Sequence, residues 1–74
     1  MNPCWHVEIE DFSCYAYAET RASARWAVVS AWRKAGYGSD GRWPSPLRAV
    51  RHPRYDTHAN AAHPHKRVFF PNDF

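Results

Sequence analysis

Two stretches near the start of the chain alternate apolar and polar residues with a period of two, a demand that a β-hairpin meets directly. Trp5, Val7 and Ile9 alternate with His6, Glu8 and Glu10; after Asp11 and Phe12, Cys14, Ala16 and Ala18 alternate with Tyr15 and Tyr17. This is the pattern of strands buried on one face. Closing the turn over Glu10–Ser13 pairs Ile9 with Cys14, Val7 with Ala16 and Trp5 with Ala18. Every apolar residue of the 5–18 hairpin then falls on one side, with His6, Glu8, Tyr15 and Tyr17 on the other. In this register Cys14 lies about 17 Å along the strand from Cys4, far outside disulfide reach. Both cysteines are therefore read as free thiols, which fits a cytoplasmic setting.

The spacing predicts one helix, over 21–35. Thr20 is its N-cap, no Gly or Pro interrupts it, and Gly36 stands where a left-handed C-terminal cap belongs. Tyr37 is placed to fold back on Trp32. Projected at a helical repeat, Ala24, Ala27, Val28, Ala31 and Ala35 form the inward stripe, with Trp32 at its margin. The opposite sector holds Arg25, Trp26, Val29 and Arg33.

Beyond the helix, 36–46 reads as a loop rich in Gly and Pro, without the Gly-Lys-Ser/Thr ending of a phosphate-binding loop. Pro46 and Pro53 bracket a possible third strand over 47–52, short and at an edge. Asp56 or Thr57 is expected to cap a brief helical turn reaching Ala62. Val68–Phe70 is expected to pack back on the domain or to form a further short strand. The expected architecture is one α+β domain spanning 1–74, of order β-β-α-β, with a hairpin packed on one helix and an irregular Pro- and His-rich tail over 53–74.

Seven residues in all are Val, Ile or Leu, whereas twelve are aromatic. A chain this short buries only about 60% of its unfolded surface, so aromatics must build most of the core. No apolar run approaches the roughly 20 residues that span a bilayer, and no signal-peptide layout opens the chain. Charge is divided unevenly. Residues 1–20 hold Glu8, Glu10, Asp11 and Glu19 and no Lys or Arg, while 21–74 hold ten basic residues against three acids, a balance of +7. Such asymmetry points to a charged partner or to pairing between the two halves.

The helix carries Arg21, Arg25, Arg33 and Lys34 and no acid. A Trp among arginines is the composition of an interface hot spot, so Arg21, Arg25, Trp26, Val29, Arg33 and Lys34 are the expected partner-binding residues. Tyr15 and Tyr17 on the outer hairpin face are a second candidate; they are covered there either by the tail or by a protein partner. Acids beside them would repel phosphates. A small basic nucleic-acid-binding domain is the alternative, with Arg25, Arg33, Arg42, Arg48, Arg51 and Arg54 following a phosphate backbone. His52, His58, His63 and His65 lack the spacing and ligand set of a zinc site, so no metal or cofactor is expected. No Ser stands in a nucleophile elbow and neither Cys has a catalytic signature, which argues against an enzyme.

The runs Trp5-His-Val-Glu-Ile-Glu10, Tyr17-Ala-Glu-Thr-Arg-Ala-Ser-Ala-Arg25 and Lys34-Ala-Gly-Tyr37 together resemble small β-β-α proteins of phages and mobile elements. Several anti-CRISPR inhibitors of type I CRISPR–Cas systems share that size and layout. The resemblance covers 5–37 and implies a host-directed inhibitor that acts by occlusion, as a monomer or homodimer in the bacterial cytoplasm. It transfers no functional residues, because those inhibitors share no common site.

Overall fold

In the computed structural model, which describes residues 1–74, the two alternating stretches form β1 (Cys4–Ile9) and β2 (Phe12–Tyr17). Their register is two residues tighter than expected: Ile9 faces Phe12, Val7 faces Cys14 and Trp5 faces Ala16. The turn is Glu10–Asp11 alone, with Glu10 at φ 51°, the positive-φ first position that two-residue hairpin turns use. This turn wins because it draws Phe12 and Ser13 into the ladder, adding backbone hydrogen bonds that a wider loop would leave to water. A slip of two preserves both faces, so Trp5, Val7, Ile9, Cys14 and Ala16 still share one core. Trp5 also reaches Ala18, donating its indole N–H to that carbonyl at 2.9 Å.

The tighter register moves Cys14 to a position three residues along the ladder from Cys4, about 10 Å at strand rise rather than 17. The two side chains point to opposite faces of the sheet. Both thiols are free and buried, and burial pushes each up to about 11.

The helix, α1 (Arg21–Lys34), starts where the Thr20 side chain accepts the Ser23 N–H at 3.1 Å. It ends at Gly36, φ 102°. There the Gly36 N–H donates to the Arg33 carbonyl and the Tyr37 N–H to the Trp32 carbonyl, the paired bonds of a Schellman cap. Tyr37 stacks on Trp32 at 6.0 Å and 12°.

The face that α1 buries differs from the alanine stripe. Ala24, Val28, Val29 and Trp32 are buried, whereas Ala27 is half-buried and Ala31 and Ala35 are exposed. The helix is rolled to bring Trp32 from the margin to the centre and Val29 out of the expected outward sector. Area decides the roll. Trp and Val side chains remove far more apolar surface from water than alanine methyls, at roughly 25 cal/mol per Å².

Two further strands, β3 (Leu47–Arg51) and β4 (Val68–Phe69), complete an antiparallel sheet of order β3-β1-β2-β4. The chain is thus a small α+β domain of β-β-α-β order with a two-residue fourth strand. α1 covers one face of the sheet. The segment after β3 covers the other, through short 3₁₀ turns at Pro53–Tyr55, Ala59–Ala62 and Pro71–Asp73. There Cys4, Tyr17 and Phe69 form a second core, with Tyr15, Tyr55, Ala61 and Phe74 packed against it. Tyr55 and Phe74 stack at 4.1 Å, and Tyr15 meets both edge-on.

Asp56 clips this layer in place. It accepts the Cys4 N–H at 2.7 Å and takes two bonds from the Arg51 guanidinium, at 3.1 and 2.8 Å. The Tyr17 hydroxyl donates to the Tyr55 carbonyl at 2.8 Å. The expected cap by Asp56 or Thr57 is replaced by His58, whose side chain accepts the Asn60 N–H, because Asp56 is committed to the clip. No helix is long and apolar enough to cross a membrane.

Two outcomes follow from this packing. Gly38 sits at φ 64°, where an added Cβ would collide with the Trp32 ring. Gly38→Ala is expected to cost about 1–3 kcal/mol, measured by urea unfolding. The second concerns acid. Arg51 holds the Asp56 carboxyl down to about 2 from its usual 3.8, and burial holds His52 below its usual 6.5. Both groups bind fewer protons folded than unfolded, so stability falls as pH is lowered through each window. The His52 contribution is intact above 6.5 and is lost as pH drops through the folded value; that of Asp56 is intact above 3.8 and is lost toward 2. NMR signals of the Tyr15 and Tyr55 rings should shift in two steps on acidification, and Asp56→Asn should remove the lower step.

Candidate interaction face

The site begins with the way α1 ends. The Schellman cap reverses the chain, and the 36–46 loop runs back along the helix. Asp40 accepts the Arg42 N–H at 3.0 Å. Arg42 pairs with Glu10 across the loop and lies 5.2 Å over the Trp32 ring. These contacts fix Trp43, and Pro44 beside it is fully buried.

Trp43 meets Trp26 edge-on, with ring centroids 5.5 Å apart. Both rings remain about half exposed, at 49% and 56%. The Arg33 guanidinium lies 5.3 Å over Trp43. Ala22, Arg25, Trp26 and Trp43 enclose a small depression between helix and loop. Arg21, one turn before Arg25, lies 5.8 Å over the Trp5 ring. The ion pairs of the molecule are Arg42–Glu10, Arg51–Asp56 and Lys66–Asp73, so no helix base has a carboxylate partner. Arg25 keeps a buried Nε with no acceptor.

The expected partner-binding set therefore separates. Arg21, Arg25, Trp26 and Arg33 share one surface, which Trp43 completes. Val29 leaves it, because it is fully buried. Tyr17 is 3% exposed, and Tyr15 is half-buried under Tyr55 and Phe74; the tail supplies their partners. Lys34 lies on the other flank of α1, in a basic groove of about 840 Å³ with His63, His65, Lys66 and Arg67. That groove is larger, but its rim has no exposed aromatic pair and Lys66 faces Asp73. Among the arginines of the nucleic-acid alternative, Arg42 and Arg51 are engaged by acids. Arg48 and Arg54 are exposed.

Trp43 was the residue the sequence did not place. It sits between Gly41 and Pro44 in a loop without periodicity, and its neighbour Arg42 was its one visible companion. The histidines have local tasks. His52 packs 4.7 Å from Tyr55 and 5.0 Å from Tyr15, His58 packs 4.7 Å from Phe74, and the His63 ring accepts the His65 N–H. No three His, Cys, Asp or Glu side chains converge to hold a metal ion. Family models, curated proteins and solved structures gave no match to this chain.

The roll of α1 is checked by a pair of substitutions. Val29→Ala should cost about 2 kcal/mol in chemical unfolding, two methyls' worth of burial plus a cavity. Trp26→Ala, at an exposed position, should stay within about 0.5 kcal/mol of the parent. Equal costs would reverse the assignment of faces.

Proposed function

We propose that the chain is a non-enzymatic binding module whose contact face is the Trp26–Trp43 pair with Arg21, Arg25 and Arg33 around it. One observation carries this reading: two large rings stand half exposed beside arginines that no carboxylate neutralises. Trp and Arg dominate interface hot spots, since both bury large area and Arg adds planar hydrogen bonding. Fixing the rings before contact lowers the ordering cost of binding. The mechanism is occlusion, in which the face docks on an acidic or aromatic protein surface and blocks its normal use. The likeness of 5–37 to anti-CRISPR proteins makes a type I CRISPR–Cas effector complex the first partner to test, with the chain as a phage-encoded inhibitor.

A phosphate backbone would find less here than the basic balance suggests. Ion pairs with Glu10 and Asp56 occupy Arg42 and Arg51, two of the six residues such a track would use. Fluorescence anisotropy with random-sequence duplex and single strands, at about 50 mM and about 200 mM salt, separates the readings. No binding at the lower salt is expected; affinity that falls steeply between the two would transfer the face to nucleic acid. Added in excess, the protein should block target-DNA binding by the effector complex. Arg25→Glu with Arg33→Glu should weaken that block by at least about 100-fold while the fold stays intact. An unchanged block would move the face elsewhere.

A further inference from the structure

The sheet has one usable open edge, and it borders the proposed face. β3 pairs with β1 on one side only. The His52 N–H donates to the Cys4 carbonyl and the Glu10 N–H to the Pro46 carbonyl, both at 2.9 Å. In an antiparallel ladder that phase gives the backbone of Arg48 and Val50 to β1 and turns the N–H and C=O of Leu47, Ala49 and Arg51 outward. No turn, loop or side-chain bond takes up these outward groups. The other edge, β4, is two residues long, stands between Pro64 and Pro71, and is too short to template a strand.

The open edge is also one-signed. A depression of about 440 Å³ alongside it is lined by Arg21, Arg25, Leu47, Arg48, Ala49 and Val50, three arginines and no acid. Side chains alternate along β3. Leu47, Ala49 and Arg51 lie on the α1 side, with Arg51 over the Trp5 ring; Arg48 and Val50 lie on the other, where Val50 is 44% exposed.

We infer that an extended acidic segment of a partner protein adds to β3 as a fifth strand. This deepens the binding-module reading and rests on it. Backbone bonds to Leu47, Ala49 and Arg51 supply the register, as in other strand additions. Acidic side chains at alternate positions on the α1 side meet Arg21 and Arg25, and apolar residues between them cover Val50. A second copy of this chain fits poorly, because β3 against β3 would gather Arg21, Arg25 and Arg48 of both molecules at one seam. A nucleic acid strand would meet the arginines but has no peptide groups to match the edge.

Amide hydrogen exchange on the full chain, read by NMR, tests this with two synthetic probes: a peptide alternating glutamate with valine, and one alternating lysine with valine. The glutamate peptide should slow exchange at Leu47, Ala49 and Arg51 by at least about tenfold, the equivalent of about 1.4 kcal/mol. Arg48 and Val50, already bonded to β1, should change little, and the lysine peptide should do nothing. Ala49→Pro removes the central outward N–H without touching a β1 bond, and should weaken the glutamate peptide by about tenfold. Arg21→Glu with Arg25→Glu, which replaces no apolar residue of the core, should transfer preference to the lysine peptide.

Three results would overturn the inference. In the first, the glutamate peptide shifts the Trp26 and Trp43 indole signals while leaving the three amides unprotected; the binding face then stands without strand addition. In the second, the three amides gain protection with protein concentration alone, which assigns the edge to a second copy. In the third, a single-stranded oligonucleotide protects them and the peptide does not. The binding-module reading is judged separately, by the effector-blocking and salt experiments, which do not depend on these amides.

Discussion

The structure depends on covering both faces of a sheet with very little aliphatic material. α1 closes one face and the C-terminal segment closes the other, so neither core is complete without a neighbour distant in sequence. The tie between the layers is Asp56. It joins the Cys4 backbone of β1 and the Arg51 guanidinium of β3 to a segment that is also held by the Tyr17 hydroxyl on the Tyr55 carbonyl, by β4 against β2 and by aromatic contacts. A carboxylate with two kinds of donor is a directional fastener, and aromatic stacking is not. Tyr55, Tyr15 and Phe74 can form an ordered layer because directional bonds at Asp56 and at the Tyr55 carbonyl fix the chain leading into them.

This two-layer economy also explains which aromatics remain at the surface. Tyr15 and Tyr17 have partners within the chain, and so do Trp5 and Trp32. Trp26 and Trp43 have mainly each other. Their exposure is a consequence of the helix roll, which buries Val29 and Trp32 and leaves Trp26 outside. The bases of the helix are left outside with it, and Glu10 and Asp56 bind arginines of the loop and of β3 instead. The unneutralised charge therefore concentrates along α1 and the β3 edge.

The sequence was legible where a period or a cap forces the outcome. Alternation in 5–18 assigned both hairpin faces, and Thr20 and Gly36 bounded the helix closely. The register was not legible, because a shift of two leaves the same faces and Glu10-Asp11 does not advertise a tight turn as Asn-Gly would. The helix face was obscured by alanines, which are so numerous that a stripe of them competes with the Val28–Val29–Trp32 side in any projection. Area, invisible to a pattern of apolar positions, broke the tie. Of the candidate face, Arg21, Arg25, Trp26 and Arg33 could be read from helical spacing. Trp43 could not, since only the folding-back of the loop places it. The covering of Tyr15 and Tyr17 rested on contacts with Tyr55, Phe69 and Phe74, whose separations of several dozen residues follow no repeat.

The placement of the cysteines gives the molecule two internal monitors. Cys4 lies in the layer beneath the C-terminal segment and Cys14 in the layer beneath the helix. With both thiols held near 11 by burial, neither presents thiolate at neutral pH while its layer is closed. Alkylation of Cys4 therefore times the lifting of the C-terminal segment, and alkylation of Cys14 times the separation of helix from sheet. The same chain, with no residue introduced, can report through its own two thiols on which of its coverings opens first.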